Sequence, residues 1–179
     1  MEANRQLPTL ASGRITLRAT REEDIPALVD LLDEPDIRRW WGHNDAASVR
    51  AQMRAQACWT IFVNERVTGW MHAHEERDEN YPSVGFDIAL SAHAQGRGLG
   101  REALRLAIRH FIAGGHHRFS IDPAAENHRA IRAYSAIGFK PVGVLRAYER
   151  APDGTWRDGL LMDLLAAEFI ETEHAAPPM

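Results

Sequence analysis

Three places in this chain carry residue types that could do chemistry: a turn, Gln95-Gly96-Arg97-Gly98-Leu99-Gly100; an acid, Asp87, just before it; and the pair Asn127 and Tyr134 beyond it. A glycine-rich turn that opens a helix leaves backbone N–H groups unpaired and lets another backbone or a phosphate approach closely. Aided by the helix dipole, those donors form an anion site, most often for a phosphate or pyrophosphate. Asp87 lies in Val84-Gly85-Phe86-Asp87-Ile88-Ala89-Leu90, where large apolar residues alternate with small or acidic ones as in a half-buried strand. Val84, Phe86, Ile88 and Leu90 share one face, leaving Gly85, Asp87 and Ala89 on the other. A carboxylate between two small residues fits the wall of a cleft, and fits equally the solvated face of an edge strand.

The chemistry such a carboxylate serves is amine handling. An alkylamine with a pKa near 10.4 is almost wholly protonated at pH 7, so presenting it neutral costs roughly 4–5 kcal/mol. A carboxylate can bind the ammonium, position it, and accept or relay its proton. Asn127 stands at a helix start, where asparagine is a favoured cap. Tyr134 follows seven residues later, two turns along the same face, where it either packs in the core or offers its hydroxyl to a cleft.

These groups need elements to hold them. Ile15-Thr16-Leu17-Arg18 reads as a first strand, and a helix begins near Thr20 as cap, with Glu22, Glu23 and Asp24 in its first turn. Ile25, Leu28, Val29, Leu31 and Leu32 give its buried face, and Pro35 marks a break before Trp40-Trp41-Gly42. A short helix runs from Ser48 to Gln56, then Trp59 to Val63 and Val67 to His74 form a hairpin about Asn64-Glu65-Arg66. Glu75 to Ser83 is polar, acidic and holds Pro82, the pattern of a loop or of a long hairpin end. After the glycine turn, Leu99, Ala103, Leu104, Ala107, Ile108 and Phe111 mark a long helix that Gly114-Gly115 stops. A strand at Arg118–Asp122, the Asn127 helix and two strands about Asp153-Gly154 complete the order, and the tail from Glu171 reads as frayed.

Composition narrows the class. The chain has 179 residues, enough for the core of one domain spanning 1–179, with its ordered part about 14–165 and a flexible tail about 171–179. A formal net charge of −4 and the absence of a basic stripe argue against nucleic acid and suit a cationic ligand. Cys58 is the single cysteine, which excludes an internal disulfide and a cysteine metal site. Met1 to Arg14 lacks the apolar core of a signal peptide and no stretch is long enough to span a membrane, so the expected location is cytoplasmic.

Taken together, the strand, the Gln-x-x-Gly-x-Gly turn, the helix, the next strand, and an Asn127 helix ending in Tyr134 and Gly138-Phe139 resemble the GCN5-related N-acetyltransferases (GNAT), from Ile15 to Leu164. The resemblance implies an α/β fold with a mixed, mostly antiparallel twisted sheet of six to seven strands flanked by about four helices. It also implies acetyl-CoA as cofactor. Its pyrophosphate would sit on Gln95, Gly96, Arg97, Gly98, Leu99 and Gly100. The backbone of Ile88, Ala89 and Leu90 would pair with its pantetheine arm, with Asn127 and Ala130 also in the cofactor site. Tyr134 would act at the leaving sulfur, mainly by hydrogen-bonding it.

Two segments are similar to the aminoglycoside 6'-N-acetyltransferases: Glu34-Pro35-Asp36-Ile37-Arg38-Arg39-Trp40-Trp41-Gly42, and Asp122-Pro123 followed by Asn127-x-Arg129-Ala130-Ile131-Arg132-x-Tyr134. That similarity implies direct attack of an aminoglycoside 6' amine on the thioester, with Asp87 holding the ammonium, and hence a role in antibiotic resistance. Alternative acceptors are a protein N-terminus, a polyamine or a siderophore amine, and a further alternative is a non-catalytic CoA-binding module. Trp41 is placed by resemblance in the substrate pocket, or else anchors packing. Glu75, Glu76 and Asp78 would attract a polycation, or else form a solvated face. His72 and His74 have possible metal spacing, but no third ligand is apparent and no metal is expected. Cys58 reads as core, the chain as a monomer or homodimer.

Overall fold

The computed structural model describes residues 7–170; the expectation of a frayed tail from Glu171 lies outside them. The first half of the chain builds one wall of the sheet. Strand β1 (Leu10–Ala11) pairs with β2 (Thr16–Ala19), and β2 with β3 (Ala57–Val63). Between β2 and β3 lie three helices, α1 (Ile25–Leu32), α2 (Pro35–Trp41) and α3 (Ala46–Ala55). The hairpin joins β3 to β4 (Arg66–Glu76) through Asn64 and Glu65, at φ 47° and 63°. Two successive positive φ values make the two-residue turn whose twist matches the flanking strands.

The second half supplies β5 (Ser83–Leu90), α4 (Leu99–Ala113), β6 (Arg118–Ile121), α5 (His128–Ser135), β7 (Lys140–Arg150) and β8 (Trp156–Leu165). The sheet order is β1-β2-β3-β4-β5-β6-β8-β7, with only β5 and β6 parallel. The mixed, mostly antiparallel sheet flanked by helices agrees with expectation; among the described residues it has eight strands, more than the six to seven expected, and five α-helices against about four. The two-residue β1 adds a strand too short to show alternation. The extra helix is α2: Pro35 does not break the chain but opens α2 at its first position, where a missing N–H costs nothing.

Thr20 does not cap α1 either. Its hydroxyl accepts from the Trp70 indole N–H at 3.0 Å, and the chain enters α1 through a 3-10 turn, Glu22–Asp24, which Asp24 closes by accepting from the Arg21 N–H at 2.9 Å. Of the two readings of 75–83, the long hairpin end is the one found: Glu75 and Glu76 lie in β4, which stays paired with β5 out to Glu76–Ser83.

Side chains on the two sheet faces belong to separate cores. Met71, Ala73, Val84 and Phe86 pack with Leu104, Ala107, Ile108 and Phe111 of α4. Cys58, Trp70 and Ala89 pack with Leu28, Leu32, Ile37 and Val49 of α1–α3. By strand alternation Asp87 belongs to the second face, with Ala89, and Glu75 to the first, with Met71 and Ala73.

Candidate active site

The site exists because β5 and β6 part company. They pair only at Ser83–Arg118, Val84–Phe119 and Gly85–Ser120, while β5 continues to Leu90 on its other edge against β4. From Phe86 onward the β6 side of β5 is therefore open. A cleft of about 580 Å³ fills the gap, walled by Asp87–Leu90 on one side and Ile121–Ala124 on the other.

One end of the cleft is the glycine turn. Gly96 and Gly98 have φ of 72° and 78°, a conformation that side chains disfavour, and Gly98 is the residue before α4. Gly100 packs so closely on β5 that a Cβ there would stand 3.0 Å from Leu90 Cδ1. The first-turn N–H groups of α4 thus lie beside the strand edge with no side chain between. Gln95 fastens the approach, donating through Nε2 to the Leu90 carbonyl at 2.8 Å. Gln95, Gly96, Gly98, Leu99 and Gly100 all line the cleft, as do Ile88, Ala89 and Leu90. Arg97 does not; its carbonyl accepts from Arg14 Nη2 at 3.2 Å, and Arg14 pairs with buried Glu102 at 2.7 Å, bracing the turn from behind.

The opposite wall comes from α5. Asn127 is the cap of that helix, its Oδ1 accepting from the Ala130 N–H at 3.2 Å, so the structural role read from the sequence is realised. Both Asn127 and Ala130 line the cleft. Tyr134 lines the same cleft and is partly buried, and among the described residues its hydroxyl has no hydrogen-bond partner. Burial first, then the Asp87 and Asp122 carboxylates, raise its pKa above the ordinary 10, so it is a proton-bearing donor at neutral pH.

Asp87 faces the middle of the cleft. Its Oδ2 lies 2.7 Å from His74 Nε2, and that hydrogen bond, outweighing partial burial, raises the His74 pKa. Asp122, which begins the segment after β6, accepts from the Tyr148 hydroxyl. Burial, then Asp87, raise its pKa against the lowering effect of that bond. The same bond, more than burial, pushes Tyr148 up to about 12. A bulge in β7 aims Tyr148: Ala147 has φ 48° and its N–H donates to Asp158 Oδ1 at 2.7 Å.

Trp41 lines the far side, its ring 5.2 Å from His72 and 6.3 Å from Trp70. His72 is buried between these rings and takes a hydrogen bond at Nδ1 from the Gln56 amide at 3.0 Å. Desolvation lowers its pKa to about 4. Cys58 is buried beside it, and burial pushes the thiol up to about 12, which suits a core residue and no nucleophile.

The acidic segment stands elsewhere. Glu75 points to the α4 face, where its Oε1 meets His116 Nε2 at 3.2 Å and its Oε2 meets Arg77 Nη2 at 2.6 Å. Glu76 accepts from the Asp78 N–H at 2.9 Å, and Asp78 from the Asn80 N–H at 2.8 Å. None of the three lines the cleft. The acids that do, besides Asp87, are Asp36, Asp122 and Glu149. Sequence reading did not assign these to the site. Asp122 was visible in the Asp122-Pro123 pair, whereas Asp36 and Glu149 gave no local signal. His74 was visible only as metal spacing; among the described residues no group of three His, Cys, Asp or Glu is placed to hold a metal. No helix among them is long and apolar enough to cross a membrane.

The family model "Acetyltransferase (GNAT) domain" matches residues 14–140. Aminoglycoside N(6')-acetyltransferase type 1 of Klebsiella pneumoniae is 27% identical over 168 residues, covering 82% of this chain and 82% of that protein. Among solved structures, Mycobacterium smegmatis RimJ in complex with CoA-disulfide superimposes with a TM-score of 0.81 at 22% identity, covering 92% of this chain and 90% of that one. Spermidine N-acetyltransferase from Vibrio cholerae, in complex with CoA and spermine, gives 0.77 at 19%, covering 89% and 100%. With an open strand edge, a glycine turn at a helix start and a family match over most of its length, this chain belongs to the GNAT acetyltransferases.

Proposed function

We propose that the chain transfers an acetyl group from acetyl-CoA to the 6' amine of an aminoglycoside. The observation that carries the reading is the placement of Asp87 and Asp122 in one cleft, with Asp36 and Glu149 also in its lining. An anionic wall of this kind attracts a ligand bearing several ammonium groups. The Klebsiella relative, named as an aminoglycoside N(6')-acetyltransferase, supports the choice of acceptor.

The residues fit the cofactor. The glycine turn offers first-turn N–H groups for a pyrophosphate, and the open edge at Ile88, Ala89 and Leu90 offers main-chain groups for an extended amide arm. When bound, acetyl-CoA would supply the acetyl thioester. Asn127 and Ala130 close the arm from the α5 side. Asp87 and Asp122 bind and orient the substrate ammonium groups, with Trp41 as a flat wall beside them. An N–H at Ile88 to Leu90 polarises the thioester carbonyl. Tyr134, kept protonated by its surroundings, donates to the leaving sulfur.

The test is thiol release followed spectrophotometrically with kanamycin, spermidine and a peptide N-terminus as acceptors. Turnover is expected with kanamycin and other 6'-amino aminoglycosides and not with those bearing a 6' hydroxyl. No thiol release with any 6'-amino aminoglycoside overturns the substrate assignment and leaves the fold and family untouched.

A further inference from the structure

We infer that His74 of β4 is the base that takes the proton from the acceptor ammonium, while Asp87 holds the ring. The inference rests on the reading that this cleft acetylates an amine, and it holds for any protonated amine acceptor.

Register builds the dyad. His74 stands opposite Gly85 on β5, two pairs along from His72 opposite Asp87. Because Gly85 has no side chain, the ring lies across β5; a Cβ there would meet His74 Cβ at 3.7 Å and Cδ2 at 3.9 Å. The ring thereby reaches Asp87, Nε2 to Oδ2 at 2.7 Å, and both residues line the cleft. A carboxylate at Nε2 selects the tautomer in which Nε2–H donates and Nδ1 keeps its lone pair. Among the described residues no group hydrogen-bonds Nδ1. The side chain is 55% exposed, so water reaches the ring and removes the proton after each turnover.

The surroundings favour a proton on this ring. Asp87 of β5 and Asp122 beyond β6 are the acids that face it, with Tyr148 of β7 donating to Asp122. On its own strand, His72 and Glu76 share its face by alternation. His72 remains neutral, with its pKa down at about 4, and so sets no opposing charge beside His74 at neutral pH. Tyr134, across the cleft, is protonated and uncharged.

Basicity decides between the two candidate acceptors. By reference values an imidazole is a stronger base than an aspartate by about 400-fold, so it draws a proton from an ammonium against a smaller gap. In the step, one ammonium N–H bond breaks, its proton binds Nδ1, and the electron pair stays on nitrogen. The neutral nitrogen then bonds to the acyl carbon as the carbon–sulfur bond breaks. A second proton passes from nitrogen to the leaving sulfur, and the imidazolium returns the first to water.

The test has a part that needs no acceptor. In the unliganded protein, NMR titration of the His74 ring should give an apparent pKa above 6.5 that falls in Asp87→Asn. A ring titrating at or below 6.5 and unmoved by Asp87→Asn overturns the dyad. Kinetics then use whichever amine the thiol-release panel accepts. His74→Gln retains a donor to Asp87 but no base, so kcat should fall about 100-fold and the acidic limb of the kcat/KM profile should vanish. His74→Ala should regain at least about tenfold on adding imidazole, in proportion to its free-base form, which a purely structural role would not allow. Wild-type kcat with the acidic limb intact in His74→Gln overturns the proposal. Turnover of spermidine or the peptide but not kanamycin removes the aminoglycoside reading and leaves the His74 result to stand or fall on the accepted amine.

Discussion

Glu75 Oε1 lies 3.2 Å from His116 Nε2 on the face of the sheet turned toward α4, whereas Asp87 projects from the other face. The sheet itself separates this acid from the cleft. Glu75→Gln should therefore leave the KM for an amine acceptor unchanged and lower stability by about 1–2 kcal/mol, the loss of a charge-assisted contact to a buried ring. Thermal melts beside steady-state kinetics check it; a raised KM with an unchanged melting temperature would return Glu75 to the substrate site.

Gly98 tests the anion site. Its φ of 78° costs a side-chain-bearing residue about 1–2 kcal/mol, and its position sets the entry of α4. Gly98→Val should weaken acetyl-CoA binding at least about tenfold while the protein remains folded, because a valine resists the left-handed φ that shapes the turn and its Cβ would crowd Arg101 Nη2 at 3.4 Å. Calorimetry on a folded variant with unchanged affinity would remove the turn from the cofactor site.

Tyr134→Phe removes a hydroxyl that has no protein hydrogen-bond partner among the described residues. Stability should change little, and kcat should fall about 100-fold with both KM values nearly intact, as expected of a contact made only in the transition state. A lowered melting temperature with normal turnover would show the hydroxyl to be structural.

His72 makes the fold acid-sensitive. It is buried and neutral, with a pKa lowered from 6.5 to about 4 by desolvation. Between those values the unfolded chain binds a proton that the folded chain refuses, so stability falls as pH falls through that window. The full effect is on the order of 3 kcal/mol. His74, whose pKa is raised, acts in the opposite sense and weakly, being half exposed. Urea unfolding at pH 7 and pH 4.5 should show a smaller acid loss in His72→Gln than in wild type; equal losses would exclude His72 as the cause.

What the chain specifies by itself is what depends on near neighbours. The alternation of Val84–Leu90, the helical spacing after Leu99, the Asn127 cap and the turn at Asn64 and Glu65 were legible because each is decided within a few residues by periodicity and backbone sterics. Even locally, a rival use of a side chain could mislead: Thr20 looks like a cap until Trp70, fifty positions away, claims its hydroxyl. The site needed longer range. Its opening exists because β5 and β6 pair for three residues and then diverge, a relation between segments more than thirty positions apart. The facing of Glu75 away from Asp87 follows from the β4–β5 register, as does the contact of His74 with Asp87, since pairing and not sequence spacing decides which side chains meet. Asp122 enters the cleft for the same reason: it follows directly after β6 at the point where that strand has left β5, and Tyr148 reaches it from the β7 bulge.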